Sequence, residues 1–288
     1  MEPPFGSAAL RASIRIATQR ISRFGGEQVR MLRVCSLGSG SGGNALVVEA
    51  RDGLFLSRVL VDNGFNVKQL GRRLGRAGLS LRDIDAVIVT HEHSDHAGGV
   101  ARFACKAGIP VYCSRGTARS SGLADSGVEL HALCAGSRAE LGPLAIDPYA
   151  VPHDASEPLQ FVFTDGDRRV GLLTDAGQCS DIIVRALSRV HALLLECNHD
   201  ESMLHSGLYP AFLKRRIGGA LGHLSNRQAA TIVRKLDCSH LGWIAAAHLS
   251  KVNNTPFLAQ LALSVALDCR VSEIAVADQD DGLAWRAV

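Results

Sequence analysis

The run Ala86-Val87-Ile88-Val89-Thr90 is short, apolar and rich in β-branched residues, and it leads directly into His91-Glu92-His93-Ser94-Asp95-His96. Its first part has the pattern of a strand buried on both faces. Its second part concentrates imidazoles and carboxylates at a strand end. His91 and His93 stand two apart, so from an extended chain they point the same way and can share one metal ion. Asp95 and His96 follow after a turn and can face a second ion. This tight spacing does not suit a helical ligand pair, which needs positions i and i+4. Gly98-Gly99 then lets the backbone pass close to the site.

Three other apolar strand patterns run out into metal-competent side chains. His153 follows Leu144–Val151, Asp175 follows Val170–Thr174, and His248 follows Trp243–Ala247. Strand ends on one sheet edge can converge while the strands hold them rigid. His153 would complete a histidine trio with His91 and His93. His248 would join Asp95 and His96, and Asp175 could bridge with its two oxygens. Imidazole and carboxylate ligands without thiolate suit Zn²⁺, Mn²⁺ or Fe. His131, His191 and His240 read as surface or hydrogen-bonded residues outside the set.

Strand patterns cover residues 32–37, 44–50, 58–62, 86–90, 109–113, 144–151, 159–164, 169–174, 192–197, 242–247, 271–277 and 283–287. Helical patterns cover 66–77, 98–107, 179–189, 208–216 and 225–236, with Ser225 as the cap of the last. Hairpins come first and strand–helix alternation later, which predicts sheets packed together with helices outside. No long linker or repeat interrupts residues 31–288, so they read as one domain.

Residues 1–30 carry five arginines and two acids and lack the apolar core of a secretory signal. They read as a presequence, a disordered basic arm, or a stretch outside the native chain; we favour a native start at Met31. The formal net charge of +3 is too weak for a protein that merely coats DNA, so nucleic-acid binding would rest on a local patch. No apolar run reaches 18 residues, which argues against a membrane helix. The eight cysteines form no C-x-x-C pair and read as reduced thiols of a cytoplasmic protein.

At this point the residues resemble the metallo-β-lactamase superfamily. His91–His96 matches its H-x-H-x-D-H signature, and Val59-Leu60-Val61-Asp62-Asn63-Gly64 resembles the element whose aspartate braces the metal loop. The resemblance implies an α/β fold, a four-layer αββα sandwich with the site at one sheet edge. It implies two divalent ions, one held by His91, His93, His153 and Asp175, the other by Asp95, His96, Asp175 and His248. Asp62 would orient a ligand from behind. Leu193–Asp200, Gly222-His223-Leu224-Ser225-Asn226 and Ala246–Ser250 resemble ribonuclease Z and its relatives. Within these, Ser36–Asn44, Glu196–Asp200, Tyr209-Pro210, Gly222–Asn226 and His248–Asn254 resemble the YycJ/WalJ group. That group implies a DNA exonuclease of 5′ to 3′ type. The chain has neither the long insert of the β-CASP nucleases nor an evident ribonuclease Z exosite arm.

The expected chemistry is hydrolysis by a metal-activated hydroxide, with charge on the phosphodiester neutralised by the ions. Asp95 or Asp175 would orient the nucleophile. His223 would act as general acid or hydrogen-bond donor, paired with Glu196. Gly38-Ser39-Gly40-Ser41-Gly42-Gly43 fits G-x-G-x-x-G, but the following Asn44–Glu49 reads as a strand, so a dinucleotide fold is excluded. The loop is either a plain turn or a phosphate cradle offering Ser39, Ser41 and Asn44. Lys214, Arg215, Arg216, Arg227 and Lys251 form a basic patch or a solvated face, and His199 is a further substrate-binding candidate. The rival readings are a thioesterase or lactonase of the glyoxalase II kind and a metal-holding protein that grips DNA ends without turnover. No obligate protein partner is evident.

Overall fold

The computed structural model describes residues 30–288. Of the expected extension only Arg30 falls among them, and it opens the first strand; residues 1–29 and the favoured start at Met31 lie outside what is described. In chain order the strands are β1 (Arg30–Gly38), β2 (Ala45–Asp52), β3 (Phe55–Val61), β4 (Ala86–Ile88), β5 (Val111–Cys113), β6 (Leu130–Ala132), β7 (Ala139–Leu141), β8 (Leu144–Ala150), β9 (Leu159–Thr164), β10 (Arg169–Leu173), β11 (Ala192–Glu196), β12 (Trp243–Ala247), β13 (Ala275–Val276) and β14 (Leu283–Ala287). The helices are α1 (Val67–Arg76), α2 (Ser94–Ala97), α3 (Val100–Ala107), α4 (Arg115–Ser120), α5 (Asp181–Leu187), α6 (Glu201–Ser206), α7 (Ala211–Ile217), α8 (Asn226–Lys235) and α9 (Pro256–Leu267).

The strands form two seven-stranded sheets, ordered β14-β1-β2-β3-β4-β5-β6 and β13-β12-β11-β10-β9-β8-β7. Each begins with antiparallel pairs and continues with parallel ones, β3 to β6 in the first sheet and β10 to β13 in the second. Side-chain alternation divides each strand between two cores. Leu46, Val48 and Ala50 of β2 and Ala192 and Leu194 of β11 meet in the core between the sheets. Val47 of β2 packs outward with Leu70 and Leu74 of α1 and Phe103 of α3. Leu193 and Leu195 of β11 pack outward under α5, α8 and α9, against Ile183, Ile232 and Leu263. Three apolar layers therefore separate four structural ones, which is the αββα sandwich.

The element boundaries differ from the sequence reading where side chains intervene. Pro210 is the N-cap of α7, so that helix starts at Ala211 rather than 208. The segment expected as a strand over 271–277 is a 3₁₀ turn at Val271–Glu273 followed by the two-residue β13. Helix α9 had no counterpart among the expected elements. All eight cysteines are free thiols. No helix among the described residues is long and apolar enough to cross a membrane.

Candidate metal centre

Where the parallel strands end, the backbone turns abruptly. Asp62 after β3, Asp175 after β10 and His248 after β12 adopt left-handed φ values of 61°, 56° and 53°. Such a conformation is costly for a non-glycine residue and tends to mark a functional site. Here it aims each side chain back over its strand end. Between them lies the loop His91–His96, whose last residues wind into α2. Gly64 and Gly99 allow the loop to be gripped closely. A Cβ on Gly64 would meet the Asp95 carbonyl oxygen at 2.1 Å, and one on Gly99 the Phe65 carbonyl oxygen at 1.9 Å.

Each candidate histidine has a polar group behind its ring. Thr90 donates its hydroxyl hydrogen to Asp62 Oδ2 at 2.8 Å and its amide to Oδ1 at 2.8 Å. Having spent that hydrogen, the hydroxyl accepts from His91 Nδ1 at 2.9 Å. His96 Nδ1 donates to Asp62 Oδ2 at 2.8 Å. His153 Nδ1 donates to the Gly222 carbonyl at 3.0 Å. In all three rings Nδ1 carries the hydrogen, so Nε2 presents a lone pair to the site. His93 is reversed: its Nε2 faces Asp154 Oδ1 at 3.8 Å and its Nδ1 points inward. Behind His248, Nδ1 lies 3.4 Å from Asn198 Nδ2 and 3.5 Å from Glu196 Oε1.

The inward atoms converge. His93 Nδ1 lies 3.0 Å from His91 Nε2 and 3.3 Å from His153 Nε2. Converging nitrogen lone pairs repel one another unless a cation lies between them, so the residues fit a metal ion. Asp175 faces His96 Nε2 with Oδ2 at 3.0 Å and His248 Nε2 with Oδ1 at 3.6 Å. Asp95 Oδ2 lies 3.5 Å from His96 Nε2 and 3.6 Å from His248 Nε2. His91, His93 and His153 could hold one ion and Asp95, His96 and His248 another, while Asp175 groups both with His91 and His96 and with Glu196, His223 and His248, the candidate ligand atoms of each group lying within 4.8 Å of one another. Asp175 Oδ2 and His248 Nε2, both buried, make no hydrogen bond. A cation would supply the missing partner.

The electrostatics point the same way. Burial, and after it neighbouring His96, push His91 well below the usual imidazole value, so its lone pair stays available. For His248 burial also acts downward, but Asp175, Asp95 and Glu196 override it and lift the ring to about 10. Burial would raise the Asp95 carboxyl, yet His248 and His96 hold it well below the carboxylate range. Paired carboxylates thus demand positive charge, which protons supply wherever a metal does not.

The remaining predicted residues fall in three places. Asp95, Asp175, His223, Ser41 and Arg216 line a cavity of about 400 Å³ over the ligand group. His223 Nδ1 lies 2.7 Å from Glu196 Oε1, and Glu196 Oε2 accepts the amides of Ala176 at 2.9 Å and Leu224 at 3.3 Å. Arg216 is tied to Asp154 at 2.7 Å and Lys251 to Asp280 at 2.6 Å. His199, Lys214 and Arg215 line a different cavity.

The Gly-rich loop is not an open phosphate cradle. The Ser39 amide donates to Asp278 O at 3.1 Å, that of Gly40 to Asn44 Oδ1 at 2.8 Å, that of Gly42 to Gln279 Oε1 at 2.6 Å and that of Gly43 to Gly40 O at 3.0 Å. The Ser39 hydroxyl accepts the His248 amide at 2.9 Å. Asn44 Nδ2 turns to the Gly40 carbonyl at 3.1 Å and lies 3.0 Å from His96 Nε2. The loop braces the ligand residues instead. Thr90, Asp154, Asn198 and Gln279 were not expected in the site, although Thr90 and Asp154 each adjoin an expected ligand.

A four-layer sandwich with imidazoles and carboxylates gathered at the edge shared by its sheets is a metal-dependent hydrolase of the metallo-β-lactamase fold. The family model for the β-lactamase superfamily domain matches residues 57–242. The chain belongs to this superfamily and, within it, to the YycJ/WalJ family. It is 33% identical over 235 residues to the exodeoxyribonuclease YycJ of Bacillus anthracis, covering 81% of this chain and 88% of that protein. It is 33% identical over 256 residues to the exodeoxyribonuclease WalJ of Streptococcus pneumoniae, covering 87% and 91%. Among solved structures, the metallo-β-lactamase fold protein YhfI of Bacillus subtilis superposes with a TM-score of 0.68 at 17% identity, covering 90% of this chain and 100% of that one. At that identity the likeness speaks for the fold alone.

Proposed function

We propose that the chain is a dinuclear phosphodiesterase that degrades DNA as an exonuclease of 5′ to 3′ type. His91, His93, His153 and Asp175 would hold one divalent ion, and Asp95, His96, Asp175 and His248 the other, with Zn²⁺ or Mn²⁺ favoured by the donor set. Such ions supply charge neutralisation at a phosphodiester and a lowered pKa for water. The observation that carries the nuclease reading is the His223–Glu196 pair. Carbonyl hydrolysis on the same ligands gives no reason for it.

Burial acts to lower the His223 pKa, but the Glu196 carboxylate and then Asp175 override it and raise the ring above its ordinary value. The shift favours the protonated ring, and with Nδ1 on Glu196 its Nε2 is left for the substrate. It would donate to a phosphoryl oxygen or protonate the leaving oxygen. Asp95, partly exposed in the cavity, would orient the attacking water. The names of the relatives at 33% identity support DNA as substrate, and the resemblance to that group supplies the direction.

The test is end-labelled single- and double-stranded DNA and RNA offered to metal-reconstituted protein, with an acyl-glutathione in parallel and His93→Ala as control. Progressive shortening of DNA from the 5′ end, absent in the variant, is expected. Turnover of the thioester but of no nucleic acid would overturn the proposal.

A further inference from the structure

Helix α7 has a cavity on each side. Leu213, Arg216 and Ile217 line the one over the ligand group, while Lys214, Arg215 and Gly218 line a second of about 370 Å³. The β11–α6 loop divides in the same way: Asn198 belongs to the first cavity and His199, the next residue, to the second. We propose that this second cavity is a phosphate site that grips the nucleic-acid strand away from the bond being cut. The proposal rests on the nucleic-acid reading above and gives that reading a second point of contact.

The ring of His199 is only 2% exposed, and its Nδ1 has no hydrogen-bond partner. With Nδ1 enclosed by protein, Nε2 is the ring nitrogen left to meet a ligand in the cavity. Burial pushes the ring below its usual pKa, with the carboxylate of Glu196 opposing, so it is a neutral donor rather than a cation. Cations come from its neighbours. Arg215 has no ion-pair partner among the described residues. Lys214 Nζ gives one bond, to the His205 carbonyl at 2.7 Å, and an ammonium has three to give. Glu201 also lines the cavity, but its charge is already met by Arg227, whose Nε lies 3.0 Å from both oxygens, and by the Ser225 hydroxyl at 2.8 Å. Lys214, Arg215 and Arg227 against Glu201 leave a surplus of two positive charges. The first turn of α8 reaches the cavity through Arg227 and Gln228, and its dipole adds to the attraction for an anion.

A chemically plain oxyanion with several acceptor oxygens fits this donor set, and a polynucleotide provides one at every residue. A helix with its side chains is about 10 Å across, a span that about three stacked nucleotides cover at roughly 3.4 Å each. A strand crossing α7 can therefore occupy both. A substrate too short to cross it can occupy only one.

The experiment compares metal-loaded wild type with Lys214→Ala/Arg215→Ala on a dinucleotide and a twelve-nucleotide single strand, the latter with either a 5′-phosphate or a 5′-hydroxyl end. The ratio of kcat/KM for the long over the short substrate is expected to fall about tenfold in the variant, and the salt dependence of KM for the long one to lose about two units of slope. An equal loss on both substrates, or none, overturns the proposal. A loss confined to the 5′-phosphorylated strand assigns the site to the terminal phosphate, and a loss on both ends assigns it to the backbone. Independently of turnover, the His199 ring resonances are followed by NMR during titration with inorganic phosphate. A saturable shift in wild type that the variant lacks is expected; no shift, or the same shift in both, rejects the site. If no nucleic acid is cut at all, the nuclease reading falls while this titration still decides the pocket.

Discussion

Glu196 serves two imidazoles at once, with Oε1 2.7 Å from His223 Nδ1 and 3.5 Å from His248 Nδ1. In the proposed roles His248 would hold metal and His223 would meet the substrate, so the two substitutions should separate. His223→Ala should lower kcat about 10²–10³-fold with metal content unchanged, because only a transition-state donor is lost. Glu196→Gln should lower kcat as well and weaken metal binding by about tenfold, because His248 loses the partner that aims it. Steady-state kinetics alongside metal analysis check both, and metal loss in His223→Ala would show that ring to be a ligand instead. The ligand candidates themselves were legible because four lie in one run and the others each end an apolar strand. Thr90, Asn198 and Gln279 were not. A hydroxyl or amide that acts by holding another residue has no spacing of its own, and Gln279 reaches Gly43 across 236 positions of sequence.

Strands betray themselves by alternation, and β2 shows how far that goes. Its inward residues are aliphatic, while Glu49 on the opposite face pairs in register with Arg33 of β1 and Arg58 of β3. The carboxylate is fully buried and accepts from both guanidinium groups. Burial would raise its pKa, but the two arginines override that and lower it. A depressed carboxylate contributes stability above its unfolded value, about 4.3 for Glu, and loses it as pH falls through the folded value. Glu49→Gln should therefore cost about 2 kcal/mol at pH 7, since both arginines remain partly hydrated. The gap in denaturant midpoint between variant and wild type should close below about pH 4; a gap that persists unchanged into acid would show the effect to be packing. Helix α9 illustrates the opposite case. Pro256–Leu267 is apolar on nearly every side, so no 3.6-residue rhythm marks it. The readable signal was at its start, where Thr255 caps the first turn and Pro256 follows.

The two sheets meet over one apolar core, and at the edge they share, the ligand group joins them a second time. His91, His93, Asp95 and His96 hang from the first sheet through β4. His153, Asp175 and His248 come from the second through β8, β10 and β12. A metal ion held by both sets is bound only while the sheets are docked, so its binding free energy adds to that of the fold. At a hundredfold excess over its dissociation constant, each ion should add about 2.7 kcal/mol. In a domain of this size that raises Tm by about 5–10 °C per occupied site. Thermal melts with Zn²⁺ or Mn²⁺ and with a chelator should differ by at least that amount. In His93→Ala, which removes one ligand from the first sheet, the difference should shrink, while the chelated melting temperature should stay near that of chelated wild type, because the crowded lone pairs are also relieved. Coincident melts with and without metal would mean that the sheets dock without help from the site and that the ligand residues are held by their hydrogen bonds alone.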